Sequence, residues 1–159
     1  MKWRKMLRFK QQITEEECVK VLTEAWRGVL SIHGENGYPY GVPIDFFYDE
    51  DDGKVYFHGA KEGSKIDLLQ KNNKVCLTVM DEGFRKENDW ALNIKSVIAF
   101  GTIETVTDTD QAMKELTKLA KKYYPTEEGA LAEVAKDGAR TLMLALSIDH
   151  MTGKLVNES

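Results

Sequence analysis

The apolar positions of the chain change period several times, and each change marks an element. Thr14-Glu15-Glu16-Glu17 has the form of a capping box, with the Thr14 hydroxyl placed to accept from the Glu17 N–H. Its three carboxylates favour the positive end of a helix dipole. Cys18, Val21, Leu22, Ala25 and Val29 recur at three- and four-residue spacing, which predicts a helix with one buried stripe, ended by Gly28 as a C-cap. Trp26 falls beside that stripe and reads as a core or lid residue. From Val29 the period shortens. Residues 29–33 and 42–48 are β-rich and flank Gly34-Glu35-Asn36-Gly37, so they predict a hairpin turning on its Asn-Gly pair. Pro39 and Pro43 cannot donate to a ladder, which places the second strand at an edge or gives it a bulge.

The acidic run Asp49-Glu50-Asp51-Asp52-Gly53 reads as a solvated hairpin turn, because it lacks the loop of about twelve residues that closes an EF-hand on a bidentate Glu. Residues 54–58 predict a strand. Residues 64–71 predict a short helix with Ile66, Leu68 and Leu69 apolar, ended at Asn72-Asn73. The nearly continuous apolar run 75–80 predicts a central strand covered on both faces. A long polar loop over 81–93 follows, tipped with Phe84 and with Trp90, which is placed to cap a pocket or a subunit interface. Residues 94–106 predict a long strand bent or bulged at Gly101. Thr107 or Asp108 caps an amphipathic helix with Ala112, Met113, Leu116, Leu119, Ala120 and Tyr123 on one face, stopped by Pro125. A shorter helix over 127–136 ends at Asp137-Gly138, and residues 140–148 form a last alternating strand. Six or seven strands without regular β-α alternation predict a mainly β fold, an antiparallel barrel with appended helices, in one domain over 1–159.

Composition narrows the function. A chain of 159 residues buries roughly two-thirds of its extended surface, enough for one core. Its 22 Lys+Arg against 26 Asp+Glu leave a net charge of -4, so no global field draws in nucleic acid. No apolar run approaches the ~20 residues that span a bilayer, so no membrane partner is expected. Lys2, Arg4, Lys5, Arg8 and Lys10 make residues 1–12 basic, without the apolar stretch of a secretory signal. That segment reads as a solvated tail, or as an arm crossing a partner subunit or an acidic ligand. Cys18 and Cys76 lie in apolar patterns, which fits a reduced, cytoplasmic location.

The candidate chemistry concentrates in Val55-Tyr56-Phe57-His58-Gly59-Ala60-Lys61-Glu62-Gly63-Ser64-Lys65. A strand ends on a histidine, turns through two glycines and delivers a hydroxyl and a cation to a helix start. Backbone N–H groups freed there, with Ser64 and Lys65, suit a phosphate. The stretch is one residue short of a Walker A loop and inverts its Lys and Ser, so an ATPase is not indicated. His33, His58 and His150 are scattered, without an i,i+4 pair or a Cys partner, so no metal site is expected. No nucleophile elbow of the form G-x-S-x-G is present. What remains is binding of a phosphorylated small molecule.

The order of several segments carries a resemblance. The helix ending in Gly28, the hairpin Gly37-Tyr38-Pro39-Tyr40-Gly41-Val42-Pro43-Ile44, the run Tyr56-Phe57-His58-Gly59-Ala60 with Gly63-Ser64-Lys65, the strand Ser96-Val97-Ile98-Ala99-Phe100-Gly101 and the final Met151-Thr152-Gly153-Lys154 are in register with one family. Over nearly its whole length the chain resembles the pyridoxamine 5'-phosphate oxidase-like family, and within it the nitroimidazole-resistance branch. The resemblance implies a split β-barrel that forms a homodimer and binds FMN in a cleft between subunits. It implies that Val42, Pro43, Ile44 and Asp45 present backbone along the flavin ring. Phe57, His58 and Gly59 would lie near the ring or ribityl chain, with His58 the candidate catalytic residue. Ser64 and Lys65 would take the phosphate, and Ser96 and Val97 would approach the cleft, from either subunit. The long Arg-rich C-terminal segment of true pyridoxamine phosphate oxidases is missing, which argues against vitamin B6 synthesis. The expected activity is FMN-dependent reduction of a small organic acceptor, with a nitroaromatic compound as one such substrate. The alternative is a flavin- or haem-binding carrier or sensor without turnover.

Overall fold

The structure, a computed structural model, describes residues 1–157. Its elements are α1 (Glu15–Glu24), β1 (Arg27–His33), β2 (Pro39–Asp45), β3 (Phe47–Asp49), β4 (Lys54–Gly59), α2 (Ser64–Lys71), β5 (Lys74–Met80), β6 (Asn93–Thr105), α3 (Thr109–Tyr123), α4 (Glu127–Asp137) and β7 (Leu142–Asn157). All seven strands join one antiparallel sheet in the order β2-β1-β5-β6-β7-β4-β3. The two edges of that sheet, β2 and β3, are consecutive in the chain and separated only by Phe46. The sheet is therefore curled into a split barrel. Its seam is closed by a covalent corner rather than by a ladder.

Alternation along the strands sorts the side chains. Leu30, Ile32, Val55, Phe57, Leu77, Val79, Val97, Ile103, Leu144 and Leu146 point inward and are at most 3% exposed, and Cys18, Val21 and Leu22 of α1 and Leu68 and Leu69 of α2 join the same core. On the outer face, α3 and α4 cover β4 and the first half of β7, where Tyr56 and Met143 pack on Leu116. The outer face of β1, β5, β6 and the second half of β7 carries no helix. One end of it meets residues 1–12, where Trp3 stacks on His150 with ring centroids 4.6 Å apart and an interplanar angle of 7°. Gln12 pairs with Lys154, so this basic segment lies on the sheet rather than trailing free in solvent.

The helix starts follow the sequence closely. Thr14 and Glu17 form the reciprocal capping box, Asp108 accepts from Gln111 N–H and Thr126 from Gly129 N–H. At the hairpin tip, Asn36 (φ 56°) and Gly37 (φ 78°) both occupy the left-handed region, as a tight turn of the primed type demands.

Three expectations are corrected. First, α1 ends at Glu24, and Gly28 is no C-cap but a residue of β1. A Cβ there would sit 3.0 Å from Thr78 O and from the Leu77 and Val79 side chains, so Gly28 serves close packing. Second, residues 42–48 are not one strand. Phe46 is fully buried and interrupts them, and its polar groups are held by α3. Third, the last strand is 16 residues long rather than stopping at Ile148. Beyond it the register with β6 shifts so that His150 faces Phe100 and Ile148 faces Gly101, leaving Asp149 as the extra residue of a bulge. Gly101 permits that crossing, since a Cβ would lie 2.0 Å from Ser147 O.

The Phe46 corner is held by two consecutive residues of α3. Lys122 Nζ donates to Ala25 O at 2.7 Å and to Phe46 O at 2.8 Å, and lies 4.1 Å from the Phe46 ring centroid. Tyr123 Oη accepts from Phe46 N–H at 3.0 Å and lies 2.6 Å from Trp26 O and 2.9 Å from Phe46 O, to one of which its single proton goes. Trp26 itself is exposed and tilts over the Tyr123 ring. Burial pushes the Lys122 ammonium down to about 8, so it is still a cation at neutral pH. Lys122→Met keeps the aliphatic stem and removes the donors from two carbonyls. It is expected to lower unfolding free energy by about 1–3 kcal/mol, read as a lower urea midpoint with an unchanged slope.

Candidate functional site

The stretch from β4 to α2 carries the most distinctive local chemistry. β4 brings His58 to its outer, exposed side and ends at Gly59. Residues 60–63 then turn, and Gly63 at φ 136° adopts a backbone that a side chain would resist. Gly63 offers no side-chain cap, so the first N–H groups of α2 face outward uncapped, with Ser64 exposed among them. Lys65 folds back over the strand end. Its ammonium would lie 3.3 Å from a Cβ at position 59, so the glycine clears the space it occupies. Lys65 is half-buried, burial lowers its pKa, and no carboxylate forms an ion pair with it among the described residues. A cation held without a counter-ion beside free N–H donors is an anion-binding arrangement. Asp67 in the same turn sets a limit on its strength.

The other sequence-derived residues fall into separate groups. Val42, Pro43, Ile44 and Asp45 lie on the edge strand β2, where Pro43 is exposed and Ile44 buried. Asp45 and His58 line one hollow of about 280 Å³, whose floor is Leu116, Leu119 and Ala120 of α3. Asp45 also pairs with Arg27 at 3.4 Å. The side chains of Phe57 and Val97 are fully enclosed in the core, and Val97 is paired on both sides, with Val79 of β5 and Gly153 of β7. Ser96 lies elsewhere: it pairs with Lys154, whereas His58 pairs with Met143, and these two partners lie near opposite ends of β7. One chain does not bring Ser96 to His58. Trp90 is 73% exposed at the tip of its loop.

A second polar site was not visible in the sequence. The acidic turn between β3 and β4 keeps Glu50, Asp51 and Asp52 exposed, as expected of a solvated turn, but Asp49 is buried and docks it on α3. Asp49 is 3% exposed and Glu115 of α3 is 2% exposed. Lys118 Nζ donates to Asp49 Oδ2 at 2.7 Å and to Asp51 Oδ2 at 3.3 Å, and lies 4.0 Å from Glu115 Oε1. Asp52 accepts from Lys54 N–H and from the Tyr56 hydroxyl. The hydrogen bond to Asp49, with the surrounding carboxylates, raises the Lys118 ammonium to about 12. Burial opposes ionisation of Asp49, but hydrogen bonds from Lys118 and the Asp51 N–H outweigh it and hold that carboxyl below its ordinary value. Burial, then the hydrogen bond and charge of Asp49, push Glu115 up to about 7. The only signal for this site was the amphipathic face of α3, which places Glu115 one residue before the apolar Leu116.

The fold and its open edge define a class: a split β-barrel with an anion cradle at the end of one strand. The family profile of pyridoxamine 5'-phosphate oxidase matches residues 14–155, and the chain belongs to that family, with the FMN-binding split-barrel fold. Three solved structures show the same fold. A protein from Bacteroides thetaiotaomicron assigned to 5-nitroimidazole antibiotic resistance is 23% identical, with a TM-score of 0.74 over 92% of this chain and 87% of that one. A conserved hypothetical protein from Mycobacterium tuberculosis is 13% identical, with a TM-score of 0.78 over 94% and 90%. An FAD- and haem-binding protein from Mycobacterium smegmatis is 24% identical, with a TM-score of 0.72 over 94% and 74%. Compared by sequence with proteins of curated function, the chain has no significant match. No helix among the described residues is long and apolar enough to cross a membrane.

The Glu115 carboxyl gives this polar cluster a measurable signature. The folded state holds its proton more tightly than the unfolded chain, so the stability it contributes is complete below about pH 4.5 and is lost as pH rises through about 7. Unfolding free energy is expected to fall by on the order of 1–3 kcal/mol between pH 5 and 8. Glu115→Gln is expected to flatten that slope in urea titrations across the same range.

Proposed function

We propose that the protein is an FMN-dependent oxidoreductase that works as a homodimer. The observation that carries this reading is the half-buried Lys65 ammonium, without a counter-ion and set over Gly59 beside the uncapped start of α2. A phosphate monoester carries close to two negative charges. Charge-assisted hydrogen bonds to it are each worth roughly 1.5–3 kcal/mol, so two or three supply much of the ~8 kcal/mol of a micromolar complex. The residues present therefore fit the phosphate end of FMN. When bound, the flavin supplies the redox chemistry, while the protein supplies orientation and protons. β2 offers unpaired edge backbone for the polar rim of the ring, and His58 stands at the same hollow as Asp45, placed to give a proton to a substrate.

The second subunit is needed to unite the site. The uncovered outer face runs in register from Pro43 through Val29, Thr78 and Ile98 to Thr152. Val29 and Ile98 are exposed there, with Met80 of the same face at 60%. Covering this face with a second copy buries those apolar groups and lets Ser96 of the partner subunit approach the β2 edge. The acceptor is a small organic molecule, and the likeness to the nitroimidazole-resistance protein makes a nitroaromatic compound the first to try.

Lys65→Ala is expected to weaken FMN binding at least tenfold in a fluorescence-quenching titration; an unchanged dissociation constant removes the phosphate assignment. NAD(P)H is expected to bleach the bound flavin and a nitroaromatic compound to restore its absorbance. His58→Ala is expected to keep FMN bound and to slow that reoxidation at least tenfold. Equal rates in the two proteins deny His58 a catalytic role.

A further inference from the structure

Residues 1–12 carry Lys2, Arg4, Lys5, Arg8 and Lys10 and none of the chain's 26 acidic residues, so the rest of the chain is correspondingly acidic. The segment is anchored at both ends. Trp3 stacks on His150 and lies 4.9 Å from the Phe100 ring, Gln12 pairs with Lys154, and the Ile13 N–H donates to Gly153 O at 3.0 Å. Between these anchors the backbone turns at Leu7-Arg8 and leaves Leu7 92% and Phe9 67% exposed. None of the five cations forms an ion pair among the described residues. Two large apolar groups held out to solvent between unpaired cations make an interaction surface.

A groove of matching character lies between α1 and the start of the β5–β6 loop, with a volume of about 630 Å³. Val21, Ala25, Trp26 and Met80 form its apolar wall, and Trp26 and Met80 are both largely exposed. Glu17, Glu24, Asp81 and Glu82 line it as well, and no cation pairs with any of the four among the described residues. Lys20 and Lys95 offset them only in part, and Arg27, the third cation there, is already paired with Asp45. In one chain the arm and the groove lie on different sides of β6, with the Gln12 partner Lys154 on β7 and Met80 on β5. Both border the outer face that carries no helix: Met80 belongs to it, and Trp3 rests on Phe100 and His150 toward its other end.

We propose that residues 4–10 are an arm exchanged between two copies of this chain. Leu7 and Phe9 of one copy enter the groove beside α1 of the other, and Arg4, Lys5 and Arg8 meet its carboxylates. The inference rests on the homodimer of the proposed function. In a two-fold pair the contact is made twice, so both arms and both grooves are filled at once. An acidic protein surface matches the arm better than an anionic membrane does, because the excess of negative charge on the rest of the chain is repelled by such a membrane. The two anchors hold the arm in place before docking, which lowers the ordering cost of association. Arg27 joins the groove to Asp45 on the β2 edge, so a docked arm lies beside the candidate cofactor site.

The test is sedimentation equilibrium on the full chain with FMN in excess. Three double variants are compared with the wild type: Arg4→Glu with Arg8→Glu on the arm, Glu24→Lys with Glu82→Lys in the groove, and Leu7→Ser with Phe9→Ser. Each is expected to weaken the dimer at least about tenfold. All six positions are exposed, so the circular dichroism spectrum is expected to stay unchanged. Combining the four charge reversals in one chain is expected to recover most of the lost affinity, which a general effect on folding does not do. No recovery means that arm and groove are not partners and overturns the proposal. A wild-type chain that stays monomeric at roughly 100 µM removes the homodimer and this proposal with it. A dimer whose dissociation constant none of the variants moves removes the arm alone. Vesicles containing phosphatidylserine are the competing partner. If they bind the wild type but not the Arg4→Glu, Arg8→Glu variant, while the dimer is unaffected, the arm serves a membrane and the proposal falls.

Discussion

The corner at Phe46 is the constraint on which the barrel depends. A seven-stranded curled sheet has two free edges, and here the chain passes from one to the other across a single residue. A residue in that position has lost its ladder partners on both sides, and burial makes its N–H and C=O costly to leave alone. Tyr123 and Lys122 supply the missing donor and acceptor, and Lys122 adds its charge over the Phe46 ring. The same ammonium and hydroxyl reach Ala25 O and Trp26 O at the junction of α1 and β1. Three segments far apart in sequence therefore converge on one turn of α3. The orientation of β2, the edge that faces the candidate cofactor site, follows from that convergence.

α3 acts at its middle as well as at its end. Glu115 and Lys118 grip the β3–β4 turn, one to two helical turns before Lys122 and Tyr123 grip the corner. One helix face thus fixes both ends of β3, and through β4 it sets where His58 and Gly59 emerge. Leu116, Leu119 and Ala120 between these polar contacts form the floor of the hollow that holds Asp45 and His58. Packing, corner and site share one element, so a change on α3 propagates to the site without touching a ligand.

Much of this was legible because it is local. The Thr14–Glu17 box, the Asp108 cap, the Asn36-Gly37 turn and the Pro39 and Pro43 edge are decided by side chains within a few residues of the backbone groups they serve. The departures all depend on distant partners. Gly28 resembles a helix stop until β5 is laid against it. Phe46 continues an apolar run and becomes a corner only because Tyr123, 77 residues later, binds its N–H. Residues 149–157 lack the alternation of a strand and take their register from β6. The acidic turn looks solvated because no local pattern announces that a buried carboxylate and a lysine of α3 meet it. Of the candidate site, Gly59, Ser64 and Lys65 were readable as one unit. Phe57 and Val97 were not readable as core, since alternation alone does not say which face is inward.

The separation of Ser96 from His58 bears on how such a barrel acquires a cofactor site at all. A small split barrel fills its interior with side chains: Phe57, Leu77, Val97 and Leu146 leave no lumen for a ligand as large as a flavin. A ligand must then lie outside, along an edge, where backbone donors and acceptors are free but water is not excluded. α3 and α4 already occupy half of the outer face, and the other half carries the exposed Val29, Met80 and Ile98. In the homodimer proposed above, a second copy on that half would close the edge against solvent and bring the polar groups that one chain places too far away. In that arrangement the apolar face, the open β2 edge and the uncompensated Lys65 cation are parts of one solution. Each is a liability in an isolated chain, and under the proposed function each is answered by the partner or by the phosphate.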